Sequence, residues 1–229
     1  MNTLLLDLDD TLYDLDAHRF RHLERAWHQW LITQPPNDVP GILQAAVTQR
    51  IFFDEMPGFL HQYGVKDDQA AELCTNSRAT WIRDLRLDDG VAPLLDILAT
   101  RYKLGLITNG SSKIQRAKII QFELTRWFTV IIVSEEYGVD KPDPAIFWHA
   151  ASALASDAAE CVMIGDNPEA DMRGAQAAGM RTIWVQRPEL YKNPFTREVA
   201  QYPTGLPAPW QTIPHVRALL TVLEDSCNG

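Results

Sequence analysis

The chain has 229 residues, of which 46% are hydrophobic and 22% are charged. These values argue against a disordered or fibrous protein, and the length suits one large domain or one domain with a smaller insertion. The formal net charge of −9 argues against a nucleic-acid polymer as partner, because a polyanion needs clustered Lys and Arg. A small phosphorylated ligand stays compatible with this charge, since one or two well-placed cations are enough to hold it.

Cysteine usage and hydropathy indicate the compartment. The three cysteines, Cys74, Cys161 and Cys227, are widely spaced and form no CxxC pair, so nothing indicates a zinc site or a disulfide framework. No apolar run approaches the roughly 18 residues of a membrane span, and the first residues lack the basic segment of a signal peptide. We therefore expect a cytoplasmic protein with reduced thiols and no membrane partner.

Five short aliphatic runs predict strands that are buried on both faces. They are residues 4–6, 104–107, 130–133, 162–164 and 182–185. Helical segments alternate with these runs, with predicted starts at Ser111 and at Asp143, where Pro144 takes the first helical position. This alternation predicts an α/β fold built on a doubly wound parallel Rossmann-like sheet. Residues 186–214 contain many prolines and predict a loop, and a last helix is expected near residues 215–223.

The connection between the first two predicted strands is unusually long. About 95 residues separate them, whereas a simple crossover needs only a few dozen. Residues 15–87 have hydrophobic stripes at helical spacing, which predicts an inserted helical subdomain. We therefore expect a core formed by residues 1–14 and 88–229, with residues 15–87 as a helical cap.

Acidic residues follow the first and the fourth predicted strands. Asp7 and Asp9 are two residues apart, so in extended backbone their carboxylates point the same way and repel unless a cation or a shared proton relieves them. Mg²⁺ prefers such oxygen ligands, and one carboxylate would then serve as nucleophile while the other moves a proton. Asp166 would complete the metal site with Asp7. Strand-end and helix-start acids also occur without function, and this alternative is strong for Asp171.

Three further residues are candidates for binding phosphate. Lys141 is followed by proline, which restricts its backbone and suits a fixed cation facing a phosphoryl oxygen, although most lysines are simply exposed. Thr108 and Asn109 provide a hydroxyl and backbone N–H groups at a strand-to-helix turn, where anions bind well, although turn chemistry alone also explains the Asn-Gly pair. Because ligands of parallel sheets bind beyond the carboxyl ends of the strands, we expect these residues and the acids to line one crevice.

Together these motifs resemble those of the haloacid dehalogenase superfamily, and specifically its phosphatases. The matching segments are DLDDTLY at 7–13, LITNG at 106–110, KPDPAIF at 141–147 and IGD at 164–166, with Asp171 following. They occur in the family's order and on the expected elements. The insertion at 15–87 resembles the helical cap that follows the first motif in the nucleotidase and sugar-phosphatase branch.

The resemblance implies a mechanism for each site residue. Asp7 would attack phosphorus to form an aspartyl-phosphate, and Asp9 would protonate the leaving oxygen and then activate water. Mg²⁺ would be held by Asp7, Asp166 and the backbone carbonyl of Asp9. The phosphoryl oxygens would be bound by Thr108, Asn109 and Lys141, and Asp171 would orient either Lys141 or bound water.

Several functions share these residues. The acid at Asp9 distinguishes the chain from dehalogenases, which resemble the pattern without it because a halide leaving group needs no proton. The resemblance therefore implies a Mg²⁺-dependent hydrolase of a small phosphorylated metabolite, such as a nucleotide or a sugar phosphate. A phosphomutase and a non-catalytic phosphate-binding protein of the same fold are the alternatives.

Overall fold

The computed structural model describes residues 1–28, 30, 39–49, 51–187 and 201–225. Six parallel strands form a single sheet, ordered β3-β2-β1-β4-β5-β6. They are β1 (Thr3–Leu6), β2 (Lys103–Thr108), β3 (Val130–Val133), β4 (Cys161–Gly165), β5 (Arg181–Val185) and β6 (Gln211–Ile213). The strand order doubles back at β1, from which the chain runs outward in both directions, so the α/β doubly wound fold is confirmed.

Ten α-helices can be delimited in the described part of the chain. They are α1 (Leu15–Ala26), α2 (Val39–Thr48), α3 (Met56–His61), α4 (Asp67–Thr80), α5 (Val91–Ala99), α6 (Ser112–Gln121), α7 (Ser134–Tyr137), α8 (Pro144–Ala153), α9 (Gly174–Ala177) and α10 (Leu219–Asp225). Short 3₁₀ turns and one π-helical turn, Pro168–Arg173, connect some of them. None of these described helices is long and apolar enough to cross a membrane.

The described residues divide into two compact units. The first contains Met1–Asp14, Arg86–Arg187 and the described part of Ala200–Gly229, and the second contains Leu15–Leu85. In the first unit, β1 lies at the centre of the sheet and its leucines are fully buried. This burial explains why the strand sequences are continuous aliphatic runs rather than alternating ones.

The second unit has its own hydrophobic core, formed by α1 to α4. Trp27 is fully buried there, and its indole N–H donates to Ser77 Oγ over 3.1 Å. The His22 Nε2 lies 2.9 Å from the Ser77 carbonyl oxygen, and the His18 ring stacks on His22 and meets the edge of Trp81. This unit therefore has a packed interior, although the role of residues 15–87 as a cap on a core of residues 1–14 and 88–229 stays a prediction.

The two helix starts predicted from the sequence are observed, whereas one observed strand was not predicted. Ser111 is the N-cap of α6, and the Asp143 carboxylate caps α8 by accepting from the Ala145 N–H at 2.9 Å. The prediction of a loop over residues 186–214 is wrong at β6, which pairs in parallel with β5. A strand of three residues is too short to show a hydrophobic period, and the prolines around it indicate a loop. Residues 188–200 of this segment lie outside the described residues.

Candidate active site

The predicted site residues meet at the carboxyl edge of the sheet. Asp7 directly follows the central strand β1, whose two neighbours are β2 and β4. Thr108 is the last residue of β2, and Asp166 follows the last residue of β4. Since β1 pairs with both strands in register, these three residues end adjacent strands at one edge, where doubly wound folds bind ligands.

Lys141 is the cation at the centre of this group, and its side chain is only 2% exposed. Its ammonium donates to Asp7 Oδ1 and to Asp171 Oδ1, each over 2.6 Å, and to the Ile107 carbonyl over 2.9 Å. Burial opposes charge on this lysine, but the carboxylates of Asp171 and Asp7 outweigh it and raise the pKa of Lys141 above its ordinary value. The lysine is therefore a fixed positive charge next to the predicted nucleophile.

Three carboxylates lie close enough to hold one metal ion. Each of Asp7, Asp166 and Asp171 has an oxygen within 4.8 Å of the others. Burial raises the pKa of Asp7 despite the opposing effect of Lys141, and burial together with the charges of Asp10 and Asp7 raises the pKa of Asp166 well above its usual range. A cation placed among these oxygens would remove the repulsion between them.

Gly165 explains how the third carboxylate reaches the group. A Cβ at this position would lie 2.2 Å from Asp171 Oδ2, so only glycine leaves room for that side chain. Asp171 is 1% exposed, and its Oδ2 accepts from the Asn167 N–H over 3.0 Å. The IGD sequence therefore supplies both an acid, at 166, and the space for another acid five residues later.

Asp9 is held by a different set of groups. Its carboxylate accepts from the Lys118 ammonium, at 2.7 Å to Oδ1 and 2.8 Å to Oδ2, from Gln115 Nε2 at 3.1 Å, and from the Tyr13 hydroxyl. Burial alone would raise the pKa of Asp9, but Lys118 and these hydrogen bonds bring it below its ordinary value. Its carboxylate is thus directed to Lys118, and the predicted metal contact through its backbone carbonyl stays a prediction.

Thr108 and Asn109 also make specific contacts. The Thr108 hydroxyl is 1% exposed and lies against the amide of Gln115. The Asn109 side chain bonds the backbone of Lys141 at both ends, with Nδ2 donating to its carbonyl and Oδ1 accepting from its N–H, each over 2.9 Å. This side chain fixes the lysine segment, so a part for Asn109 in phosphate binding would come from its backbone N–H and stays a prediction.

Sequence reasoning missed Gln115, Lys118 and Tyr13. Gln115 and Lys118 lie on α6 at i and i+3, where side chains share a helix face, and they are 2% and 5% exposed. The available signal was this polar spacing just after Thr108-Asn109-Gly110. A single lysine on a helix is ordinarily solvated, so the sequence alone gave no reason to bury it.

The donor set fits Mg²⁺. Carboxylate oxygens are the ligands this hard cation prefers, and Asp7, Asp166 and Asp171 bring three of them together without sulfur or nitrogen ligands. Burial is the main cause of the raised pKa values of Asp7 and Asp166, and a cation bound between these acids would favour their ionised forms. Of the cysteines that the structure describes, Cys74 and Cys161 are free thiols outside this group of acids, and Cys227 lies outside the described residues.

Comparison with known proteins gives the family. Pyrimidine 5′-nucleotidase YjjG from Escherichia coli is 28% identical over 197 residues, covering 80% of this chain and 84% of that protein. N-acylneuraminate-9-phosphatase from Rattus norvegicus is 31% identical over 155 residues, which are 66% of this chain, and the chain spans only 62% of that enzyme's length.

A solved structure and a family model agree with these relatives. The putative HAD-hydrolase YfnB from Bacillus subtilis, solved bound to magnesium, superposes with a TM-score of 0.70 at 26% identity, covering 97% of this chain and 98% of that one. The sequence model of the haloacid dehalogenase-like hydrolases matches residues 1–179, which is most of the chain. The chain therefore belongs to the haloacid dehalogenase-like hydrolase family.

Proposed function

We propose that the protein is a Mg²⁺-dependent phosphomonoesterase that acts through an aspartyl-phosphate at Asp7. The observation that carries this proposal is the contact of Lys141 with both Asp7 and Asp171, next to Asp166. A nucleophilic carboxylate, a fixed cation and a metal-binding acid then share one edge of the sheet. Phosphoryl transfer needs this combination of positioning and positive charge.

In the first half-reaction, an Asp7 oxygen forms a bond to phosphorus as the bond from phosphorus to the ester oxygen breaks. Lys118 favours the ionised form of Asp9, and the negative charge of the bound phosphoryl group would raise the pKa of this carboxyl so that it takes up a proton before the ester bond breaks. The Asp9 carboxyl then gives that proton to the departing oxygen, so the product leaves as a neutral alcohol. Lys141 and Thr108 bind the phosphoryl oxygens while charge develops on them. Mg²⁺ would be held by Asp7, Asp166 and the backbone carbonyl of Asp9, with Asp171 beside them paired to Lys141, and would supply Lewis-acid stabilisation of the transferred phosphoryl group.

In the second half-reaction, Asp9 accepts a proton from water as the water oxygen bonds to phosphorus. The bond between phosphorus and Asp7 breaks, which releases inorganic phosphate and returns both carboxyl groups to their starting forms. Asp171 holds Lys141 in place through its 2.6 Å contact in both steps. Asp9 therefore serves as acid in the first half-reaction and as base in the second. An enzyme without this acid would be suited to a leaving group that needs no proton.

The substrate class follows from the relatives. The names of the matched enzymes specify a pyrimidine nucleotide and a sugar-acid phosphate, both of which are small phosphorylated metabolites. We propose a substrate of this class. The net charge of −9 adds support, because it disfavours a polyanionic nucleic acid.

Phosphate release tests the proposal. The native protein, freed of metal with EDTA, is assayed on p-nitrophenyl phosphate and on a panel of pyrimidine nucleoside monophosphates and sugar phosphates, with and without Mg²⁺. We expect release of inorganic phosphate that needs Mg²⁺. Isomerised substrate without free phosphate would indicate a mutase, and binding without turnover would indicate a non-catalytic protein.

The nucleophile is tested by Asp7→Asn with Asp140→Asn as the matched control, because Asp140 is an exposed acid one residue before Lys141. Asp7→Asn should lower kcat by at least about 1,000-fold, since covalent catalysis and metal binding are lost together. Borohydride reduction during turnover should convert the acyl phosphate at position 7 to homoserine, located by peptide mapping. Full activity of Asp7→Asn would contradict the assignment.

A further inference from the structure

The helix after the Thr108 turn places two buried polar side chains behind the proposed proton donor. Gln115 and Lys118 share one face of α6 and are 2% and 5% exposed. Burying a lysine is costly unless an anion compensates it, and the contacting anion is the Asp9 carboxylate. None of the functional roles proposed above uses either side chain.

Together the two residues hold both oxygens of Asp9. The Lys118 ammonium lies 2.7 Å from Oδ1 and 2.8 Å from Oδ2, so it faces the carboxylate squarely. Gln115 Nε2 adds a third contact, 3.1 Å to Oδ2. With two oxygens fixed by donors on one helix, the carboxyl plane has little freedom to rotate.

Gln115 also joins Asp9 to the phosphate-binding turn. The same amide nitrogen contacts the Thr108 hydroxyl and lies 3.1 Å from the Asn109 carbonyl oxygen. It therefore fixes Asp9, which would serve the leaving group, relative to Thr108, which would bind the phosphoryl group. Proton transfer in a transition state depends on this relative placement to within about half an ångström.

We propose that Gln115 and Lys118 are positioning residues, which set the Asp9 carboxyl at the distance from the bound phosphoryl group that leaving-group protonation requires. This inference rests on the proposed phosphatase function. Neither side chain would touch the substrate, and both would act through Asp9. Their loss should slow the step in which the ester bond breaks and the Asp9 proton passes to the departing oxygen.

Leaving-group dependence separates positioning from a general structural role. p-Nitrophenolate leaves readily without a proton, whereas phenolate is a poorer leaving group and depends more on protonation, and the two esters are similar in size. kcat/KM covers the steps up to release of the phenol, so it reports the step that Asp9 assists as an acid. A merely loosened fold would lower kcat/KM for both esters by the same factor.

The experiment measures kcat/KM for p-nitrophenyl phosphate and phenyl phosphate with Mg²⁺ in the full-length protein. Lys118→Met should lower the value for phenyl phosphate about 100-fold and that for p-nitrophenyl phosphate less than about 10-fold, in line with the usual contribution of a general acid. Lys118→Arg should recover most of the loss on phenyl phosphate. Lys113→Met, an exposed lysine on the same helix, is the matched control and should leave both values unchanged.

Gln115→Leu supplies an independent test if Lys118→Met fails to fold. It should produce the same preference for p-nitrophenyl phosphate and, through Thr108, weaken competitive inhibition by inorganic phosphate. Equal loss on both esters in the folded variants would overturn the inference, and so would faster turnover, which would mean that the two residues restrain Asp9. A native protein inactive on both esters would instead refute the proposed function itself.

Discussion

Removing the cation at position 141 should expose how much unbalanced charge the site contains. In Lys141→Met, the carboxylates of Asp7 and Asp171 lose the ammonium that lies 2.6 Å from each of them. Both acids remain buried, at 6% and 1% exposure, so water cannot replace the lost partner. Methionine has a similar volume, which leaves charge as the main change.

The size of the effect follows from burial. Breaking a buried ion pair from one side costs about 3–5 kcal/mol, because the remaining charge is uncompensated. Here one cation serves two anions, but protonation of one acid would relieve part of the repulsion, so we expect about 3–5 kcal/mol rather than twice that. This is a large share of the 5–15 kcal/mol by which domains are commonly stable.

Urea unfolding measures this loss, first in EDTA and then with millimolar Mg²⁺. The variant should lose about 3–5 kcal/mol of unfolding free energy in EDTA. Mg²⁺ should restore a larger increment to the variant than to the native protein, because the metal would compensate the same carboxylates. Lys113→Met is the control for removing a lysine charge from the surface. A loss below about 1 kcal/mol in EDTA would refute the reasoning, since it would mean that these carboxylates do not carry buried charge.

Two more predictions concern stability. Gly165→Ala places a Cβ 2.2 Å from Asp171 Oδ2, so it should displace that side chain and lower activity. It should also cost about 1–3 kcal/mol of unfolding free energy, measured in urea. Gly58→Ala is the control, because its Cβ meets nothing within 4 Å, and it should change neither stability nor activity. Burial, and after it the charge of His22, lowers the pKa of His18 from 6.5 to about 4. Between these two pH values the unfolded chain binds more protons than the folded protein, so the free energy of unfolding falls as the pH falls. The native protein should lose about 1–2 kcal/mol between pH 7 and pH 5 from this residue, and unfolding curves of His18→Gln should show a correspondingly flatter dependence. Equal pH dependence in the two proteins would exclude His18 as the cause.

The sequence revealed the parallel strands because of how they are buried. Leu4, Leu5 and Leu6 are all fully buried, so a central parallel strand must be aliphatic on both faces and appears as a continuous run. β6 has only one buried residue, Ile213, and two exposed ones. So short a strand at the sheet edge forms because it pairs with β5, and this pairing cannot be predicted from the local sequence.

The candidate site was predictable where chemistry depends on position along a strand. Asp7, Thr108 and Asp166 each stand at a strand end, and strand ends converge in a parallel sheet whatever the side chains do. Lys118 could not be predicted in the same way. Its burial depends on how α6 packs in the folded chain, and its partner Asp9 lies 109 residues away in sequence.

The charges at the sheet edge explain why a divalent cation and a phosphate ester would bind together. Asp7, Asp9, Asp166 and Asp171 supply four carboxylates, and the ammonium groups at positions 118 and 141 pair with Asp9 and with the pair Asp7 and Asp171. When all six are ionised, these groups carry two negative charges in excess, and the charge of Asp10 adds to them near Asp166. A phosphate dianion would be repelled by this edge, whereas a divalent cation would neutralise it. Adding the metal should therefore raise the affinity for phosphate by more than a single metal–oxygen contact would. The cation also removes the repulsion between the ester and the two acids, Asp7 and Asp9, that must attack and protonate it.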